Sequence, residues 1–332
     1  MIEFPKRLNL ARLPTPIIKL DRFPLPQSDA QIWVKRDELT GTEVSGNKIR
    51  KLEFSLAEAL EQACDTVITC GGIQSNHCRS TAILCTRLGL KVHLVLRGQK
   101  PDQPEGNLLF DYLCGAEISY VSERDWRGHE ETVRQLQQDY AKAGGKAFYI
   151  PIGASDEIGL WGYIAACREL KEDFQQLGMT PDYIVTATGS GGTQGGLLVG
   201  SALFDLPGKI VAFNVCDDTA YFDQKIRRDV TLWKQRYNTD FDVENLQITT
   251  VEGYMGPGYG IASPEVFDCI TQLARTTGLF LDPVYTAKAF HGMVNEIQKG
   301  AEGSMPDARN ILFIHTGGLF GVFPQQQNFT FE

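Results

Sequence analysis

Two stretches of this 332-residue chain could do chemistry together, although they lie far apart in sequence. Gly46-Asn47-Lys48-Ile49-Arg50-Lys51 sets a lysine behind a small flexible residue, at the start of a strongly helical run. Thr188-Gly189-Ser190-Gly191-Gly192-Thr193 is a glycine-rich turn between a strand-like and a helix-like segment. A lysine amine forms a Schiff base with an aldehyde, and a glycine-rich turn with free N–H groups cradles a phosphate. Pyridoxal 5'-phosphate carries both groups, and the pair reads as a site for it. Each piece has a plainer reading when taken alone. Lys48, with Arg50 and Lys51, could be a solvated basic helix start. Three cations at the positive end of a helix macrodipole, however, call for an anionic partner. Neighbouring cations also lower an amine's pKa and keep it nucleophilic at neutral pH. The turn itself has neither the Gly-Lys-Ser/Thr ending of a P-loop nor the register of G-x-G-x-x-G.

These pieces need a scaffold, and the chain alternates strand-like and helix-like segments almost throughout. Strands are expected at Gln31–Arg36, Thr66–Cys70, Lys91–Leu96, 117–121, 147–150, Asp182–Ala187, Ile210–Cys216 and Asn310–His315. Apolar residues at helical spacing (Leu52, Leu56, Ala59, Leu60, Ala63) put a helix over 48–63. Further helices are expected over 76–88, 106–114, 126–143, 157–177, from 194 on, 219–237, 264–277 and 286–299. Such alternation implies an α/β protein with mostly parallel sheets covered on both faces, and the length suits two domains. Ligands of such sheets bind beyond the carboxyl ends of the strands. That rule selects four loops, at 71–76, 151–156, 188–193 and 316–318, all rich in Gly, Ser, Thr or Asn. The first continues into Gln74-Ser75-Asn76-His77, a run of donors at a helix N-terminus suited to a carboxylate. Gly256-Pro257-Gly258-Tyr259-Gly260 and Asp282-Pro283-Val284-Tyr285-Thr286 each set a tyrosine in a rigid turn. Such tyrosines are usually half-buried packing residues.

Composition narrows the partners. A net charge of −9 offers no general attraction to nucleic acid or anionic membrane, and no basic run is present. Apolar runs fall short of a membrane span, and Met1–Arg7 lacks a secretory signal core, so a cytoplasmic protein is expected. The eight cysteines form no C-x-x-C pair and read as buried reduced thiols. The five histidines show no metal-ligand spacing, and no metal is expected.

From Leu13-Pro14-Thr15-Pro16 to His315-Thr316-Gly317-Gly318 the chain resembles the D-cysteine desulfhydrase/1-aminocyclopropane-1-carboxylate (ACC) deaminase family of pyridoxal-phosphate enzymes. The blocks that carry the resemblance are GNKIRKLEFSLAEAL, GGIQSNHCR, TGSGGTQGG, GPGYG, LDPVYTAKAF and FIHTGG, in that order. The resemblance implies the two-domain, tryptophan-synthase-β-like fold type II. Its smaller domain would span 52–162, and the larger would combine 1–51 with 163–332. It also implies Lys48 as the Schiff-base lysine, Asn76 on the ring hydroxyl, and Lys51 with the backbone of Gly189, Ser190, Gly191, Gly192 and Thr193 at the phosphate. Ser75, Asn76, His77, Tyr259 and Tyr285 would meet substrate. Ser75 and the tyrosines would also move protons, Lys48 or a Ser75/tyrosine relay removing the one on Cα. Thr286 would face the pyridine nitrogen, near Thr316.

ACC deaminases resemble one another in carrying Glu and Leu at the positions of Thr286 and Thr316. A carboxylate at the ring nitrogen makes a strong electron sink. A hydroxyl makes a weaker one, sufficient for β-elimination of a good leaving group. The expected activity is therefore α,β-elimination on a small D-amino acid, D-cysteine first. The alternatives are ACC, D-serine, β-chloro-D-alanine or L-cysteate as substrate, and a cofactor-binding protein without turnover. Departures from the family pattern are Trp161, expected to add bulk to the substrate pocket, Ala287, and Leu319-Phe320-Gly321. The family is commonly homodimeric.

Overall fold

The computed structural model describes residues 2–25 and 28–331. The chain runs through β1 (Ile17–Lys19), β2 (Gln31–Lys35) and α1 (Lys48–Glu61). Then follow β3 (Thr66–Gly72), α2 (Asn76–Leu88), β4 (Lys91–Arg97), α3 (Gly106–Leu113), β5 (Glu117–Val121), α4 (His129–Lys142) and β6 (Ala147–Ile150). The rest is α5 (Trp161–Leu177), β7 (Tyr183–Thr188), α6 (Gly192–Phe204), β8 (Lys209–Asn214), α7 (Thr219–Arg236), β9 (Thr249–Val251), α8 (Pro264–Thr277), α9 (Thr286–Gln298) and β10 (Asn310–Ile314).

The strands form two sheets. One has four parallel strands in the order β5-β4-β3-β6. The other has six, in the order β1-β2-β10-β7-β8-β9, and only β1 in it runs antiparallel to its neighbour. Side chains alternate across the six-stranded sheet. Ile184, Ile210 and Leu312 enter one core with α5, α6 and α7. Val185, Val211 and Phe313 enter the opposite core with α8 and α9. The four-stranded sheet splits in the same way, Val67 toward α1 and α2 and Ile68 toward α4. Buried on both faces, the central strands read as unbroken apolar runs. Among the described residues, no helix is long and apolar enough to cross a membrane.

Most elements fall where periodicity puts them, and the departures have local causes. The helix expected from 157 begins at Trp161, because the Asp156 carboxylate accepts the N–H groups of Ile158 (3.2 Å) and Gly159 (2.7 Å) and holds that stretch as a turn. The one expected from 126 opens with a 3-10 turn before α4. β1 and β9, three residues each, lie on the sheet edges and carry too short a pattern to be read.

Trp161 corrects one expectation. It does not line a substrate pocket. It is 0% exposed and packs against Phe4, Phe54, Trp233 and Tyr237, with ring centroids 5.1–6.4 Å apart. As the first residue of α5 it faces the core between α1 and α7. Trp161→Phe is therefore expected to lower Tm while leaving the ratio of kcat/KM between small and large amino acids within about twofold. A selective gain on larger substrates would contradict this placement.

α1 is held by a buried ionic network. The Arg50 guanidinium bonds both Asp37 oxygens (2.9 and 2.7 Å), both Glu169 oxygens (3.0 and 2.9 Å) and Thr15 Oγ1 (3.0 Å). Tyr163 donates to Asp37, and Lys35 pairs with Glu169 and Asp173. Burial pushes the Asp37 carboxyl up, but the charge and hydrogen bonds of Arg50 outweigh it and leave the carboxyl below its ordinary value.

Candidate active site

All four loops chosen by the strand-end rule meet at one cavity of about 930 Å³ between the two sheets. Gly71, Gly72, Ser75, Asn76 and His77 line it from beyond β3, and Gly153, Ser155 and Asp156 from beyond β6. Gly189, Ser190, Gly191 and Thr193 line it from beyond β7, and Thr316 and Gly317 from beyond β10. Lys48, Tyr259 and Tyr285 complete the wall.

Two contacts carry Lys48 to the glycine turns. Asn47 Nδ2 donates to Thr193 Oγ1 (2.9 Å), joining the start of α1 to the start of α6. The Asn47 N–H donates to Thr316 O (3.0 Å). That approach requires glycine on both sides. Gly46 (φ +115°) and Gly317 (φ +91°) face each other so closely that a Cβ on Gly317 would lie 2.6 Å from Gly46 Cα.

Lys48 Nζ makes no hydrogen bond to any described residue. Enclosure by protein pushes its pKa down to about 8, and the buried carboxylate of Asp282 opposes the shift. The neutral amine is the nucleophile, so capture of an aldehyde by cofactor-free protein is expected to speed up as pH rises through about 8. An ordinary lysine would show this rise near 10.4. Stopped-flow capture of pyridoxal phosphate across pH 6–11 measures it, and a midpoint near 10 would remove the claim of a tuned amine.

The glycine turn is shaped from behind by Ser155. Its Oγ accepts the Gly192 N–H (3.2 Å) and pairs with Ser190 Oγ (2.8 Å). Lys51 Nζ lies 3.3 Å from the same oxygen and donates to Gly153 O (3.0 Å). Lys225 Nζ donates to Ser155 O (2.9 Å) and pairs with Asp229. Burial, then Lys48 and Lys225, pushes the Lys51 amine well down, a cluster of cations suited to an anion. Lys51 and Gly192 thus back the turn without lining the cavity.

His77 Nε2 lies 2.8 Å from Thr69 Oγ1, whose own proton goes to Ile150 O. The ring proton therefore sits on Nε2 and Nδ1 is a bare acceptor. Burial, Lys48 and Lys51 all hold the ring neutral. His77 Nδ1 and Thr188 Oγ1 are buried without a partner among the described residues. Ser75 caps α2, its Oγ accepting the Cys78 N–H (3.2 Å), which leaves the hydroxyl proton free to donate. The Tyr259 and Tyr285 hydroxyls bond each other, their ring centroids 6.0 Å apart. Burial raises both phenols. Tyr285 is held further up by Tyr259, whereas the Tyr285 bond and Arg97 pull Tyr259 back. Either hydroxyl of the pair can donate to the other.

Thr286 does not line the cavity. Its hydroxyl donates to Asp282 Oδ1 (2.7 Å) and accepts the Asp282 N–H (2.8 Å), because the Asp282 carboxylate is drawn to the N-terminus of α9. Thr316 is the threonine of the pair that reaches the cavity. Ser155, Lys225, Arg97 and Asp282 went unread in the sequence. The strand-end rule pointed at the loop of Ser155, Asp282 opens the turn already quoted for Tyr285, and no local pattern marks Lys225 or Arg97.

An unbonded buried amine, orphaned polar atoms and a glycine turn backed by two lysines fit a small molecule with an aldehyde and an anionic tail. Comparison with known proteins agrees. A family profile described as pyridoxal-phosphate dependent enzyme matches residues 8–317. The bifunctional D-cysteine desulfhydrase/1-aminocyclopropane-1-carboxylate deaminase, mitochondrial, of Arabidopsis thaliana is 42% identical over 95% of this chain and 79% of its own length. D-cysteine desulfhydrase of Serratia proteamaculans is 34% identical over 98% of both chains. A solved structure described as an ACC deaminase homologue superposes with a TM-score of 0.87 at 33% identity, covering 97% of this chain and 94% of that one.

Proposed function

This chain belongs to the D-cysteine desulfhydrase/ACC deaminase family of pyridoxal-phosphate dependent enzymes, and from that premise we propose that it eliminates the thiol of D-cysteine, releasing pyruvate, sulfide and ammonia. The cofactor, when bound, supplies an electron sink for charge developing at the substrate Cα. The protein does the rest. The donors at the α2 N-terminus, with the Ser75 hydroxyl, suit the substrate carboxylate. Lys48, neutral above about pH 8, suits removal of the Cα proton. The Tyr285–Tyr259 pair, in which one phenol holds a proton that the other can relay, suits protonation of the departing sulfur.

The observation that carries the desulfhydrase side is the wall made by Tyr285, Thr316 and Gly317. Thr316 is a lining residue of that wall, and neither 286 nor 316 is a carboxylate. A hydroxyl beside a pyridine nitrogen leaves it neutral, and the weaker sink suffices for expelling a thiolate. Product analysis tests the proposal. Sulfide and pyruvate from D-cysteine should form with kcat/KM at least about a hundredfold above that for 2-oxobutyrate from ACC, a margin of about 2.7 kcal/mol. A preference for L-cysteine, or ACC turnover of equal efficiency, would reverse it.

A further inference from the structure

Arg79, on the first turn of α2, is 0% exposed and does not itself line the cavity. Its guanidinium joins three segments of the chain. Nη1 donates to Asn76 Oδ1 (3.2 Å) and Asn107 Oδ1 (2.7 Å), and Nη2 donates to Ser45 O (2.7 Å). The group also lies over the Phe320 ring, 4.8 Å from its centroid. Ser45 precedes the Lys48 helix, Asn76 lines the cavity, and Asn107 opens α3 and holds the 71–76 loop through Gln74 (2.9 and 3.1 Å). The carboxyl oxygens of the nearby Asp111 have no hydrogen-bond partner among the described residues. Burial pushes its carboxyl up to about 8, opposed by Arg79. The hydrogen bonds that Arg79 makes all go to neutral oxygens, from Nη1 and Nη2, while Nε has no partner among the described residues.

An arginine carries donors only. The atom of Asn76 that faces Arg79 must therefore be the carbonyl oxygen, and the amide has no freedom to turn over. Asn76 Nδ2 makes no hydrogen bond to any described residue. We propose that Arg79 is a positioning residue for the cofactor: by holding Asn76 Oδ1 it makes Asn76 offer the cavity a donor, so that the ring oxygen is held there as the ionised phenolate. The proposal rests on the reading that Asn76 meets the ring hydroxyl. It also gives Ser45 and Asn76 a common anchor, which keeps the Lys48 loop and the ring-contacting residue in one frame.

The test is the absorption spectrum of the holoenzyme against pH, with cofactor loading on Lys48 confirmed by mass spectrometry and fold by circular dichroism. In Arg79→Met the Asn76 amide is free to rotate. The ratio of the visible to the near-ultraviolet form of the bound cofactor should fall about tenfold, the size of one charge-assisted hydrogen bond. Arg79→Gln, whose amide can accept or donate, should fall between that and the wild type. A purely structural arginine would lower Tm in both without moving the ratio. Asn76→Ala is the control. If it shifts the ratio and neither Arg79 variant does, the proposal is overturned. If Asn76→Ala itself leaves the ratio unchanged, the reading of Asn76 beneath it is overturned. Should the methionine variant not fold, an unmoved ratio in Arg79→Gln suffices to reject the proposal.

Discussion

Lys48→Ala protein is expected to fold, to hold pyridoxal phosphate only reversibly, and to lose turnover by at least about four orders of magnitude. Folding should survive because the amine makes no hydrogen bond and its enclosure already disfavours its charge. Tm should hold or rise. Borohydride should fix the cofactor covalently to wild-type protein and leave no adduct on the variant. The rival amine is Lys288, which burial also pushes down to about 8. Its Nζ is committed, however, to Met255 O (2.6 Å) and Gly258 O (2.9 Å), where it holds the loop that presents Tyr259. A reduced adduct in Lys48→Ala, on Lys288 or elsewhere, would remove Lys48 from the chemistry.

Arg50→Met is expected to destabilise the protein by about 3–5 kcal/mol, the cost of removing one partner from a buried ion pair. Arg50 and Asp37 are 2% and 0% exposed, so the Asp37 carboxylate left behind cannot turn to water. Lys35 would remain as the single cation against Asp37, Glu169 and Asp173. The effect also has a pH signature. The Asp37 carboxyl is held below its ordinary value in the folded protein. Its contribution is therefore present above the unfolded value of about 3.9 and disappears as pH falls through the folded one. Without Arg50 that contribution is lost, and acid unfolding should begin at higher pH. Urea unfolding at pH 7 and a Tm series from pH 7 to 3 measure both. A loss under about 1 kcal/mol, with an unchanged acid limb, would mean that the network is unimportant to stability.

Secondary structure was largely legible because its causes are local. Val67, Ile68 and Cys70 announce a doubly buried strand, and Ser75 announces the cap of α2. The four loops were legible for a topological reason: a parallel sheet leaves all its carboxyl ends on one side. The direction of a side chain is another matter. Trp161 and Thr286 were expected to face the ligand, and they face a tryptophan core and a capping carboxylate instead. Periodicity says that a residue is buried but not against what.

The order of residues was enough to determine an alternating α/β chain and, through short motifs such as the Lys48 stretch and the glycine turn, the cofactor. Each of these depends on neighbours a few positions apart, and short-range sterics and hydrogen bonding govern them. Only the tertiary structure decided that Ser155 shapes the turn, that Arg79 turns the Asn76 amide, and that Arg50 meets Glu169 across 119 positions. Those contacts exist because packing helices and loops over and between the two sheets buries groups that must then find partners, and the search for partners ignores distance along the chain.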